Sequence, residues 1–218
     1  MTDVHLFVGP SALGLKREIP PDVRTHPPAR RGSVRKLVEE SDQPGVIALA
    51  DGTFHSYPAV GHRELNEALE GGWEVWGLCS MGAIRASEMS SVGMRGYGVV
   101  YGMFAEDPDF ADDEVALVHG LEAPFRAVSE PMVHIRAYLR SLEEAGILSP
   151  VKIGQVLIEF KERWYAERTL PALAECLAAQ GYQDSIADMR AFDRFRIKTH
   201  DLESFLTGKP WTLKEAQV

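Results

Sequence analysis

The chain has 218 residues, 45% of them hydrophobic and 25% charged, which is the composition of a globular protein with one large domain or a domain and an appendage. A net charge of −9 argues against the clustered Lys and Arg that phosphate backbones require, so neither nucleic acid nor an anionic membrane is an expected partner. Two cysteines, Cys79 and Cys176, cannot build a disulfide framework, no run approaches the ~18 apolar residues of a membrane span, and MTDVHLFVGPSALG does not read as a signal peptide; a cytoplasmic protein with reduced thiols is expected.

In chain order, VHLFVG (4–9) reads as a short buried strand and GSVRKLVEES (32–41) as a helix with Ser33 near its start. GVIALAD (45–51) is a second buried strand. AVGHRELNEALEGG (59–72) is an amphipathic helix with Val60, Leu65, Ala68 and Leu69 on one face, stopped by Gly71-Gly72. WEVWGLC (73–79) is a third strand, and a helix begins near Met81. This alternation predicts an α/β fold with a mostly parallel sheet. GMRGYGVVYGMF (93–104) is glycine-rich and ambiguous, and EDPDFADDE (106–114) reads as an acidic loop, either a solvated face or a docking surface. From residue 129 the period is helical through 130–146, 149–170, 171–181 and 185–195. Pro131, Pro150 and Pro171 stand where helices begin, Gly146 and Gly181 where they end. The expected division is an α/β core over 1–125 and a helical portion over 126–218, packed as one compact unit.

Open α/β sheets bind ligands outside the carboxyl ends of their strands. Three such ends carry a polar residue beside glycine: Gly9-Pro10-Ser11, Asp51-Gly52 and Ser80-Met81-Gly82. Ser80 stands where a strand turns into a helix. The N–H groups of Met81 and Gly82 would open that helix and could receive an oxyanion. This makes Ser80 a candidate nucleophile, against the alternative that it caps the helix. Its S-x-G pattern is that of a nucleophile elbow, except that Leu78 replaces the first glycine. In a regular strand Cys79 would face away from Ser80, and a buried, inert cysteine is the expectation there. Glycines 9, 52, 77 and 82 could leave a narrow groove.

Asp51, His55, His62 and His119 raise a metal reading, but their spacing matches no zinc motif, and no metal site is expected. His55, just past Asp51, suits substrate contact better. Arg30 and Arg31 precede a helix start and could hold a carboxylate or phosphate there, or simply be surface charges. There is no P-loop and no dinucleotide fingerprint, and no cofactor is expected.

Taken together, FVGPS (7–11), PPARRGSV (27–34), ALADGTFHSYPAVGHREL (48–65), GLCSMGAIRASEM (77–89) and DDEVALVHG (112–120) resemble the TfuA-like family, with a fainter match around FDRFRIKTHDLESFL (192–206). The resemblance implies a partner of YcaO enzymes, which activate a peptide backbone amide with ATP so that its oxygen can be replaced. It implies release of sulfide from the C-terminal thiocarboxylate of a ubiquitin-like sulfur carrier, by a serine–lysine pair that falls on Ser80 and Lys198. The modified peptide is a further implied partner, and self-association is left open. Supporting or substrate-binding roles would fall to Gly9, Ser11, Arg30 and Asp51, and to His55, Met81, Gly82 and Arg85. Cys79 departs from the family, which often has a smaller residue there. As a general base Lys198 would have to be neutral, against a reference value near ~10.4, and burial favours that form. The alternative reading is a non-catalytic subunit that helps the YcaO enzyme engage its peptide.

Overall fold

The computed structural model describes residues 3–53, 57–183 and 185–213, the side chains of 185–187 excepted. The chain divides into two compact units, Met1–Phe110 with Lys198–Val218, and Ala111–Ile197. The described strands are β1 (Val4–Phe7), β2 (Val23–His26), β3 (Val46–Leu49), β4 (Glu74–Gly77) and β5 (Arg95–Gly96). The described helices are α1 (Ser33–Glu39), α2 (His62–Glu70), α3 (Met81–Met89), α4 (Val99–Glu106), α5 (Met132–Glu144), α6 (Pro150–Glu162), α7 (Leu170–Ala179), α8 (Ser185–Arg190) and α9 (Ile197–Gly208).

The first unit is an α/β fold on a parallel sheet of order β2-β1-β3-β4-β5. Val4 pairs with Val23 on one side and Val46 on the other, and Val46 pairs with Glu74. The sequence reading finds β1, β3 and β4 and misses the two edges. The reason is physical: Val23 is the only buried residue of β2, and β5 is two residues long, so neither carries an apolar run.

Both faces of a parallel sheet need cover. On one face Phe7, Ile47, Leu49 and Val75 pack against Val34 of α1, Leu65 and Ala68 of α2, and Ala86 and Met89 of α3. On the other, Leu6, Ala48, Trp76 and Leu78 meet Leu202, Phe205 and Leu206 of α9, with Ala12, Leu15 and Ile19 of the β1–β2 connection. The last helix therefore belongs to the α/β unit, whose second face its apolar side covers, and the chain is not divided at a single point.

Glycine sets how closely α3 lies on the sheet. A Cβ on Gly82 would stand 1.7 Å from the Leu49 carbonyl oxygen, and one on Gly77 would stand 2.0 Å from that of Gly82. These two glycines seat a helix on strands rather than lining an open groove, which corrects the expectation drawn from them.

In the second unit α5, α6 and α7 pack around Tyr138, Leu139, Phe160, Leu173 and Leu177, with Phe192. Pro150 is the first residue of α6, and Gly146 and Gly181 have φ of +67° and +92° just beyond α5 and α7. The acidic loop is partly an internal anchor. Glu114, 3% exposed, takes two hydrogen bonds from Arg136 (2.8 and 2.9 Å) and pairs with Lys161 (2.9 Å). Burial pushes the Glu114 carboxyl up, but the Arg136 and Lys161 hydrogen bonds outweigh it and hold it below the usual range. Asp113 accepts from the buried Arg168 at 2.8 Å.

Candidate active site

The strand order reverses between β1 and β3, the point at which open parallel sheets place their ligands. Asp51 lies there, two residues past β3 and 2% exposed. Its Oδ2 accepts the N–H groups of Gly9 and Ser11, both at 2.8 Å, and its Oδ1 accepts the Ser11 hydroxyl at 2.7 Å. Both carboxylate oxygens are engaged in fixing the turn that follows β1.

Beyond β4 the chain turns within three residues. The Ser80 N–H donates to the Leu78 carbonyl at 2.7 Å around Cys79, whose φ is +64°. This is a γ-turn of the rare, strained hand. It ends the alternation of faces: Leu78 and Cys79 both join the cluster on the α9 side. Strand alternation therefore does not separate Cys79 from Ser80, because the regular strand stops at Gly77.

Ser80 is 3% exposed and is the residue before α3, yet its side chain makes no cap bond to that helix. The cap reading of this serine does not hold. Its carbonyl instead accepts the Ala83 N–H at 2.9 Å. The Met81 and Gly82 N–H groups open α3, where no preceding helical carbonyl is available to them.

Cys79 is wholly buried, and its thiol donates to the Lys198 carbonyl at 3.1 Å. Burial, then the charges of Asp201 and Asp51, push this thiol well above its ordinary value, so it is a thiol and not a thiolate. Lys198, 1% exposed, lies in the first turn of α9. The next residue, Thr199, donates its hydroxyl to the Leu13 carbonyl at 2.8 Å. Asp201 accepts the Val99 and Val100 N–H groups at 2.8 and 2.9 Å and so caps α4; burial pushes its carboxyl up. Ser11, Asp51, Cys79, Ser80 and the start of α9 thus converge at the carboxyl ends of the central strands.

Other expected residues lie elsewhere or serve the fold. Met81 is buried over Gly52, and Arg85 donates to the Val60 carbonyl at 3.0 Å and pairs with Glu88 at 2.5 Å. Arg30 is exposed, its guanidinium 5.0 Å from the Tyr57 ring centre. The start of α1 beside Arg30 and Arg31 already holds an anion from within the chain. The buried Glu64 carboxylate accepts N–H groups from Gly32, Val34 and Arg35 at 3.0–3.3 Å, and from Gly61 at 2.9 Å. This internal carboxylate corrects the reading of that helix start as a ligand site. His55 lies outside the described residues. His62 pairs with Glu88 at 2.8 Å, and the His119 ring meets the Gly120 carbonyl. Among the described residues no group of three or more His, Cys, Asp or Glu is placed to hold a metal ion.

Sequence reasoning did not find the Cys79–Lys198 contact, which joins positions 119 apart, nor the internal role of Glu64. The glycine before α2 followed three residues on by a glutamate is a capping-box spacing, which signals the bond from the Gly61 N–H to Glu64 but not those from α1.

A family model described as TfuA-like protein matches residues 51–169, a span that includes Asp51 and Ser80 but neither Ser11 nor Lys198. Among curated proteins none matches the sequence significantly.

Proposed function

Because the chain belongs to the TfuA-like family, whose model covers more than half of it, and that family is associated with YcaO enzymes, we propose that it is an accessory hydrolase that supplies sulfide to a YcaO partner. The substrate is the C-terminal thiocarboxylate of a small ubiquitin-like sulfur carrier, and the product serves peptide backbone thioamidation. One observation carries the reading. Ser80 stands at a strand-to-helix turn without capping the helix, and its neighbour is bonded to the backbone of a buried lysine.

In this reading neutral Lys198 takes the Ser80 hydroxyl proton as the oxygen attacks the acyl carbon. The oxyanion forms beside the Met81 and Gly82 N–H groups at the positive end of α3. Collapse breaks the C–S bond, and the Lys198 proton leaves with the sulfur as hydrosulfide or hydrogen sulfide. Water then cleaves the Ser80 ester, leaving a carrier carboxylate and a free hydroxyl. No nucleotide is needed, because ATP is consumed by the partner.

The test is sulfide release from a purified thiocarboxylated carrier, with and without the cognate YcaO protein. Release that Ser80→Ala removes supports the reading; an intact thiocarboxylate in both mixtures overturns it. A second reading, a docking subunit without catalysis, is favoured by the burial of both Ser80 and Lys198. It predicts that Ser80→Ala supports thioamidation fully without added sulfide. The hydrolase reading predicts that inorganic sulfide restores it.

A further inference from the structure

The proposed reaction gives Cys79 no step, yet its surroundings are not those of an inert core thiol. It holds a φ of +64° at the centre of the turn that presents Ser80, a backbone that non-glycine residues rarely adopt. Its Sγ–H donates to the Lys198 carbonyl at 3.1 Å. This residue therefore joins the turn after β4 to the first turn of α9.

We propose that Cys79 is a positioning residue whose thiol fastens the start of α9 to the Ser80 turn and so sets where Lys198 stands relative to the Ser80 hydroxyl. The inference rests on the Ser80–Lys198 reading of the site. Burial keeps the sulfur out of contact with solvent and in its protonated form, which is the form that donates. The contact is also absent from any chain with alanine at this position, where the lysine must be placed by other means.

The experiment compares Cys79→Ala and Cys79→Ser with the parent protein in two measurements. One is kcat and KM for sulfide release. The other is hydrogen exchange of the Leu202 amide, which α-helical geometry pairs with the same Lys198 carbonyl. Alanine removes the donor and should lower kcat about tenfold with KM unchanged, and speed Leu202 exchange by a similar factor. Serine keeps a donor and should return both to within about threefold of the parent. A folded Cys79→Ala protein with parental kcat, or with parental Leu202 exchange, overturns the proposal. So does a folded Cys79→Ser protein that is inactive with normal exchange, because that result makes the sulfur itself the nucleophile. Should the alanine protein not fold, the serine variant decides on the same two readouts. If the parent releases no sulfide at all, the hydrolase reading fails, and the exchange data then report separately whether the thiol fastens α9.

Discussion

The Ser11 hydroxyl and the Asp51 carboxylate lie 2.7 Å apart at the point where the sheet reverses its strand order. The same carboxylate holds the N–H groups of Gly9 and Ser11. Asp51→Asn turns one oxygen into an NH₂ group that faces donors. It should destabilise the protein by about 1–3 kcal/mol, while Ser11→Ala, losing one hydroxyl bond, should cost about 1 kcal/mol. Urea denaturation of the two variants checks the order. In a folded Asp51→Ala protein, labelling of Ser80 by a serine-reactive probe should slow but persist. Complete loss of labelling gives Asp51 a direct part in activating the serine.

If Ser80 is the nucleophile, Ser80→Ala should lower sulfide release at least about a thousandfold. Its stability should stay within about 1 kcal/mol of the parent, because one hydroxyl leaves no sizeable cavity. Kinetics and a thermal melt on the same preparation separate the two effects. A Ser80→Ala protein with parental turnover rules this serine out as the nucleophile.

Lys198→Arg keeps charge and approximate length but cannot deprotonate at working pH. It should lose at least about a hundredfold in kcat if Lys198 is the general base. Parental turnover in that variant would reduce Lys198 to a fixed charge, and the search for a base would pass to His55.

Glu64 accepts four backbone N–H groups, three of them at the start of α1. Glu64→Gln keeps the shape but removes the charge and sets an NH₂ group among donors. A loss of about 1–3 kcal/mol is expected by denaturant titration. An unchanged midpoint would mean that the start of α1 finds other acceptors.

His5 Nδ1 and His26 Nε2 lie 3.0 Å apart with their rings stacked, an arrangement that places one N–H between two nitrogens. Burial, then the charges of His26 and Arg24, lower the His5 value against a smaller raising effect from Asp3; burial and Arg24 lower that of His26. Both groups are therefore harder to protonate in the folded chain than in the unfolded one. Below about pH 6.5 the unfolded chain takes up protons first, so this contribution to stability is complete above that pH and is lost as pH falls. The melting temperature should drop by a few degrees between about pH 7.5 and about pH 5.5. The double variant His5→Gln, His26→Gln should flatten that dependence, and an equally steep slope in it assigns the effect to other groups.

The sequence by itself determined the parallel α/β core, because β1, β3 and β4 are largely apolar runs separated by helical periods. It also determined the three strand ends, since a polar residue beside glycine after such a run marks a tight turn whatever surrounds it. Local patterning could not reach the edges β2 and β5, one largely exposed and the other two residues long. Nor could it assign α9, whose apolar residues serve a sheet formed more than a hundred positions earlier. The candidate site divides in the same way. Ser80 was singled out from its turn, and Lys198 only through the family resemblance. That Cys79 bonds the Lys198 backbone, that Asp51 is engaged by the β1 turn, and that Glu64 rather than a ligand fills the start of α1 were decided by tertiary structure alone. Each of these bonds joins residues 29 to 119 positions apart. Hydrogen bonds at that separation follow from how elements pack in space, and no local spacing encodes them.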